Sequence, residues 1–413
     1  MTAASAIVSL RDFRRDILPR LGPGLAAAAA ASLPWSTSVT GILVTLWLVT
    51  TLPTLDFATV RREALSAPGG LPIVLVGVAV AGLLWSDAPV LERVHGIEPF
   101  LRLLAIPVLF AQFRRAEHGI WVGAAFLVSG TILLVVAWTM FCLGLEFGHG
   151  QGVPVKDYIA QSGVFTLCAF ALIYIGFERW MERNRVLAVA AVALALLFIS
   201  SMFYVSTSRT TLVVILVLLL LIGLQRASWR GMVGCILVGV TLLAVMWTTS
   251  TYVRERTMSV ADEIAEAEVR WTSSGARLRW WQDSLWILSE APILGHGTGM
   301  ITETFHRRAE SATNPHNQIL AVGIQLGLAG VAALLAMWGS HWWLFRRPGL
   351  AAWVGLIAVT QNIVSSLFNS HLVDFTQAWI YIFAVGVCGG IVQHGDRKAK
   401  PDDPLPIPPL PNR

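Results

Sequence analysis

The chain is a succession of apolar runs, most about 17–25 residues long and separated by short polar connections, the pattern of helices that cross a bilayer. The runs fall at about 24–33, 38–55, 70–86, 98–112, 118–145, 158–178, 185–204, 209–225, 231–249, 317–345, 350–368 and 376–393, which predicts about twelve transmembrane helices. The first and fourth are shorter than a full span. One connection differs from the rest: residues 250–316 are polar and long enough to hold structure of their own. Within it, 259–270 alternates small, acidic and apolar positions and predicts an exposed helix. Over 277–288, Arg277, Trp281 and Leu285 recur at helical spacing beside Trp280 and Trp286. That predicts an amphipathic helix at the lipid interface, where tryptophan is favoured. Pro292 and the run Gly295-His296-Gly297-Thr298-Gly299 end it. The glycine run lacks the Lys-Ser/Thr ending of a phosphate loop and reads as a tight turn. The chain thus divides into a lead-in (1–23), a membrane domain (24–393, with the loop 250–316) and a Pro-rich tail (394–413) whose composition predicts disorder.

Composition agrees. Hydrophobic residues make up 55% of 413 positions and charged residues 13%, where soluble domains carry about 25%; mean hydropathy is +0.65. The fold class expected is an all-α integral membrane protein with one large outward loop containing interfacial helices. Charge then supplies orientation. Arg11, Arg14, Arg15 and Arg20 precede the first run. Arg61/Arg62, Arg114/Arg115, Arg179/Arg183/Arg185, Arg226/Arg230 and Arg346/Arg347 occupy every second connection, and Arg397, Lys398 and Lys400 lie in the tail. The intervening short connections hold mainly Arg93, Lys156 and Arg209. By the positive-inside rule both termini are cytoplasmic and the large loop faces outward. The net charge of +5 is therefore a topology signal. No basic stripe with interleaved aromatics suggests nucleic acid, and no cleavable signal is evident in the charged first ~20 residues. Cys142, Cys168, Cys235 and Cys388 sit apart in predicted spans and read as small buried hydrophobes, without metal or disulfide spacing. No internal repeat points to an inverted-repeat transporter.

Ionisable residues gather near the outward surface. Arg102 lies just inside the fourth run, and Arg209 begins the eighth in Ser206-Thr207-Ser208-Arg209-Thr210-Thr211. Arg277 and Arg279 lie in the loop, His316 opens the tenth run, and His371 with Asp374 occupies the last outward turn. Charges at membrane depth are costly and mark function. Several guanidinium groups on one side suit a diphosphate, which they bind in permanently charged bidentate contacts. Helix starts at 209 and 316 also present free N–H groups to an anion. Each residue has a plainer reading. Arg209 snorkels to lipid phosphates, Arg277 and Arg279 edge a solvated helix, His316 is an interfacial residue, and Asp374 caps the last helix.

Together these pieces resemble the O-antigen ligase family of the wider O-antigen ligase/polymerase superfamily. The family signature is His, then Asn/Ser/Gln, nine residues, Gly, two residues and Gly/Thr/Tyr; His316-Asn317, nine residues, Gly327, Leu328-Ala329 and Gly330 fit it without a gap. Arg277 four before Trp281, the later Pro292-Ile293-Leu294-Gly295-His296-Gly297, and Trp85-Ser86-Asp87-Ala88-Pro89 are also similar. The resemblance implies an inverting, metal-independent glycosyl transfer at the periplasmic face of the bacterial inner membrane. The implied donor is a polysaccharide on undecaprenyl diphosphate, the acceptor a sugar hydroxyl of lipid A–core, and bilayer lipids surround the site. His316 is the candidate base, since neutral imidazole suits that task near pH 7. Arg209 and Arg277 are candidates for stabilising the leaving diphosphate. Arg102, Arg279, Asn317 and Asp374 are candidate substrate contacts. Asp262, Glu263, Glu266 and Glu268 read as a solvated helix face and not a glycosidase dyad. No outward Asp-x-Asp motif calls for a metal, and no cofactor is expected. A cleft between the bundle and the helix around Arg277, open to lipid, is expected to admit both substrates. The rival readings are an O-antigen or exopolysaccharide polymerase, a protein O-oligosaccharyltransferase, and, from another class, a lipid-linked glycan transporter.

Overall fold

A computed structural model describes residues 18–399, apart from 115, 147–149, 206–207, 226–228, 250–253, 255–257, 259–272 and 309–311. The predicted helix at 259–270 and the tail beyond 399 therefore lie outside the described residues. The remainder is helical: α1 (Leu18–Ser32), α2 (Thr37–Thr51), α3 (Phe57–Ala64), α4 (Ala67–Ala81), α5 (Val90–Leu101), α6 (Ala105–Gln112), α7 (Ala116–Leu143), α8 (Tyr158–Met181), α9 (Arg185–Tyr204), α10 (Arg209–Gln225), α11 (Trp229–Thr249), α12 (Ser273–Glu290), α13 (Ile301–Arg307), α14 (Gln318–Leu344), α15 (Leu350–Ser366) and α16 (Phe375–Ala399). Eight helices among the described residues are long and apolar enough to cross a membrane. α10 and α15 are apolar but shorter, so the expected count of about twelve is not reached on length alone.

Short polar connections start many of these helices with a side-chain cap. Ser36, Asp56, Ser66, Asp157 and Asn184 each accept a hydrogen bond from an otherwise unpaired N–H of the helix they precede. Successive long helices run back and forth, so the connections separate into two ends. At one end Glu63 is buried between Arg62 and Arg114, and His341 at the close of α14 reaches the carbonyl of Pro68. At the other end Lys156 meets Asp374, and Ser86 bonds to Thr298. Among the described residues Arg62 and Arg114 fall at the first end, and the 295–299 loop falls at the second. α16 is mostly enclosed, whereas α2 and α9 turn Ile42, Val49, Val189 and Leu196 outward. An apolar exterior around an apolar core is what lipid as solvent requires.

Several expectations change in detail. The short fourth run is one longer element, Val90–Gln112, broken at Arg102–Leu104 by a 3₁₀ turn. Pro107 has no N–H to offer the carbonyl one turn back, which loosens the helix at that point. α1 begins earlier than the expected run and contains Pro23, and α16 continues past 393 to Ala399. α3 and α13 have no counterpart in the apolar runs. Cys168 and Cys388 are buried, but Cys142, near the end of α7, is exposed.

The largest departure lies inside α14. Gly327 has φ +61° and ψ −161°, so the helix of the signature motif is interrupted there. The 295–299 loop inserts into the break. His296 and Gly297 donate N–H bonds to the carbonyls of Ile324 and Gln325 at 2.9 Å each, and Leu328 and Ala329 donate to those of Pro292 and Ile293 at 2.8 and 3.1 Å. Gly295, Gly297 and Gly299 all have positive φ. The loop's far side docks on Trp85-Ser86: Thr298 N–H donates to Gly82 O at 3.1 Å and Ser86 Oγ–H donates to Thr298 O at 2.7 Å. The Trp-Ser, Gly-x-Gly and Gly327 pieces of the sequence are thus one interlock. It supplies partners for backbone groups that a broken helix would leave bare inside a bundle.

Candidate functional site

The interlock holds α12 against α14, and His316 lies where these helices meet the turn at 367–374. α12 supplies Arg277, Arg279, Trp280 and Trp281. His316 precedes α14 with φ +50°, a left-handed conformation uncommon outside glycine. Asn314 stabilises it: its Oδ1 accepts from the His316 backbone N–H at 2.9 Å and from Ser370 Oγ–H at 2.7 Å. Trp280 stacks on the imidazole with ring centres 5.3 Å apart, and Trp281 Nε1–H donates to Pro315 O at 3.1 Å. The ring is therefore clamped by one helix on its face and one turn at its edge.

The edge contact decides the ring's chemistry. His316 Nδ1 lies 3.1 Å from Asn369 Oδ1. That oxygen also accepts the Ser370 backbone N–H at 3.0 Å, which orients the amide. An amide oxygen only accepts, so Nδ1 is the donor and the neutral ring keeps its lone pair on Nε2. Among the described residues Nε2 takes no hydrogen bond. Burial holds the imidazole below its ordinary value of 6.5; the Asn369 bond opposes this and the nearby charge of Arg277 reinforces it. His316 is thus a neutral acceptor at pH 7, with a cationic neighbour on α12.

The other predicted residues divide. Arg209 begins α10, and its neighbours Ser208, Thr210 and Thr211 line a small cavity with His371, which stands two residues beyond Asn369. The start of α10 therefore reaches the same turn as His316. Arg279 is half-buried on α12, two residues from Arg277. Asn317, Arg102 and Asp374 have structural work. Asn317 caps α14, its Oδ1 accepting from Ile319 and Leu320 N–H and its Nδ2–H₂ donating to Leu367 O at 3.1 Å, which uses both ends of the amide. Arg102 pairs with Glu98 at 2.8 Å, reaches Val373 O at 3.3 Å and lies 5.1 Å above the Phe375 ring. Asp374 caps α16 through Gln377 N–H at 3.0 Å and pairs with Lys156 at 2.5 Å. Burial pulls the Lys156 ammonium down, but the hydrogen bond and charge of Asp374 outweigh it and the net shift is upward. These three residues hold the turn that holds His316.

Sequence reasoning missed Asn369, Asn314 and Trp280 as partners of His316. The signal available was faint. Asn369-Ser370-His371 is a polar triplet in a turn between two apolar runs, and nothing local ties it to a histidine 53 positions earlier.

The class of molecule is now defined: an all-helical, multi-pass membrane protein with a neutral histidine and arginines at one end of its bundle. Residues 194–335 match the family model described as O-antigen ligase, about a third of the chain. Over that segment the chain is similar to the O-antigen ligase family. The matched segment contains Arg209, Arg277, Arg279, His316, Asn317, Gly327 and Gly330, and stops before Asn369 and Asp374. A protein of Haemophilus influenzae, described only as uncharacterized, is 29% identical over 116 residues, covering 25% of this chain and 29% of its own length. The chain thus spans under a third of that relative.

Proposed function

We propose that this protein is an O-antigen ligase: it moves a polysaccharide from undecaprenyl diphosphate to a sugar hydroxyl of lipid A–core, at the periplasmic face of the inner membrane and with both termini cytoplasmic. The observation that carries the reading is the His316–Asn369 pair beside Arg277. A base for an acceptor hydroxyl needs an unprotonated nitrogen at neutral pH, and Nε2 of a ring whose Nδ1–H is already committed is that nitrogen. The acceptor oxygen attacks the anomeric carbon on the face opposite the diphosphate, so configuration inverts. The acceptor's proton passes to Nε2, and the anomeric carbon–oxygen bond breaks with its electrons on the diphosphate. Arg277 and Arg209 stabilise that departing charge, with Arg279 as a further contact. A leaving group already activated as a diphosphate and met by fixed guanidinium groups does not depend on a divalent cation. Arg102 and Asp374 act one step back, by anchoring the 367–374 turn.

The test is transfer by the purified chain in EDTA, given an undecaprenyl-diphosphate glycan with and without lipid A–core. Glycan on lipid A–core, and no chain growth without that acceptor, is the expected outcome. Longer lipid-linked glycan in the absence of lipid A–core would make the protein a polymerase and remove the acceptor assignment.

A further inference from the structure

Beside the histidine site is a polar cavity that the transfer chemistry leaves unused. It has room for about one water-sized group and lies between the first turns of α8 and α10, the C-terminal part of α15 and His371. Its polar lining includes Ser208, Thr210, Thr211, Gln361, Ser365 and His371, and no ionised side chain lines it. Two of these residues leave a buried polar atom without a hydrogen-bond partner: Gln361 Oε1 and His371 Nε2, on side chains 5% and 3% exposed. The other end of the Gln361 amide donates to Gly163 O at 2.9 Å, so Oε1 is the end left over. Buried polar atoms are nearly always paired, and an orphan that lines a cavity points to what enters it.

The lining selects the chemistry of the occupant. An anion would meet the bare oxygen of Gln361 with no cation to balance it. A divalent cation would find no carboxylate, and an apolar group would leave both orphans unpaired. A hydroxyl matches the chemistry of both atoms: its hydrogen is the donor that Gln361 Oε1 lacks, and His371 Nε2 bonds a hydroxyl through its oxygen or through the ring's N–H. Burial holds His371 down to about 4, with the charge of Asp374 opposing, so the ring is neutral and matches an uncharged guest. The position is also informative. His371 follows Asn369 by two residues, and Ser208 and Thr210 flank Arg209, so the cavity adjoins both the base and the diphosphate side.

We propose that this cavity is a carbohydrate-hydroxyl subsite of the transfer site, seating one hydroxyl of a substrate sugar between Gln361 and His371. The proposal rests on the glycosyl-transfer reading above. It assigns to Gln361 and His371 a role in substrate positioning.

The test uses the full chain in lipid nanodiscs with two near-isosteric variants, Gln361→Met and Thr211→Val. Initial rates are measured against the lipid-linked glycan and against lipid A–core in turn, with matched deoxy-sugar versions of each. The expected result is a rise of about ten-fold in KM for one substrate, the weight of one hydrogen bond to a buried partner, with kcat within about two-fold. The deoxy version of that substrate shows the same rise on the wild-type protein and no further rise on Gln361→Met, because the lost partners are the same. The substrate affected tells whether donor or acceptor sugar enters. Unchanged KM for both substrates in both variants, with only a lower melting temperature, would overturn the proposal and leave a structural water in the cavity. Binding of the lipid-linked glycan and of lipid A–core, followed by tryptophan fluorescence without turnover, separates the two ideas. A wild-type chain that transfers nothing refutes the activity. If neither ligand then binds more weakly to Gln361→Met, the subsite is refuted as well.

Discussion

At the scale of single residues, His316 is set by three neighbours that act differently on it. Burial and Arg277 favour the neutral ring, whereas Asn369 favours the charged one while choosing which nitrogen stays free. If the ring acts as a base, His316→Ala lowers kcat by about 10²–10⁴-fold, with donor affinity largely kept. A variant as fast as wild type would remove histidine from the mechanism. The sign of the pH effect follows from the cause. The active form is unprotonated and its pKa lies below 6.5, so the rate climbs with pH and the midpoint of that rise falls below the ordinary imidazole value. Arg277→Gln deletes a charge that repels the proton, so the acid limb of kcat/KM moves to higher pH in addition to any loss in rate. A limb that stays in place would separate Arg277 from His316. Asn369→Leu has the opposite sign on the limb, because it removes the bond that favours the charged ring. It also frees Nδ1, so the proton redistributes between the nitrogens and kcat falls at every pH. The ¹⁵N shifts of His316 report that redistribution directly, and an unchanged Nδ1–H tautomer in the variant would refute the positioning role.

At the scale of elements, the break in α14 is the feature on which the site depends. A helix start carrying His316 is held in place because the 295–299 loop fills the break nine residues further on and pins α12 alongside. A methyl on Gly327 would collide with the Ile293 carbonyl, and φ there is already positive. Gly327→Ala is therefore expected to cost about 2–4 kcal/mol, combining strain with lost backbone bonds. Gly339, in the same helix, has nothing within 4 Å of where a Cβ would stand. Gly339→Ala gains about 0.5–1 kcal/mol from helix propensity. Melting temperatures of the two variants in detergent check this; similar effects would mean that the interlock carries no special weight.

At the scale of the whole molecule, opposite ends have opposite chemistry. Arg62 and Arg114, with Glu63 buried between them, mark one end, and His316 with the Lys156–Asp374 pair marks the other. Apolar side chains cover the waist between them. If the arginine end is cytoplasmic, cysteines placed at exposed Asp87 and Thr313 react with an impermeant maleimide in intact spheroplasts, and one at exposed Pro348 reacts only after lysis. Labelling of all three from one side would overturn the orientation. Access to a cysteine next to Arg209 from both sides would favour the transporter reading.

Hydrophobicity and charge add along the chain, so the membrane class, most helix positions and the alternation of charge could be read from residue order alone. The sequence also singled out His316, Arg209 and Arg277, because an ionisable residue at the mouth of an apolar run is anomalous wherever the helix packs. What it left undecided depends on pairs of residues far apart in the chain. Asn317, Arg102 and Asp374 stood out for the same reason as the site residues, and only their partners show that they build the turn. The glycines of the 295–299 run and Gly327 looked like separate motifs until a broken helix and an inserted loop were seen to exchange hydrogen bonds. Asn369 and the Gln361–His371 cavity left no local mark, since a polar side chain acquires a role only from what folding brings against it. The tertiary structure decided these matters because hydrogen bonds are short and directional, and a sequence states spacing without stating contact.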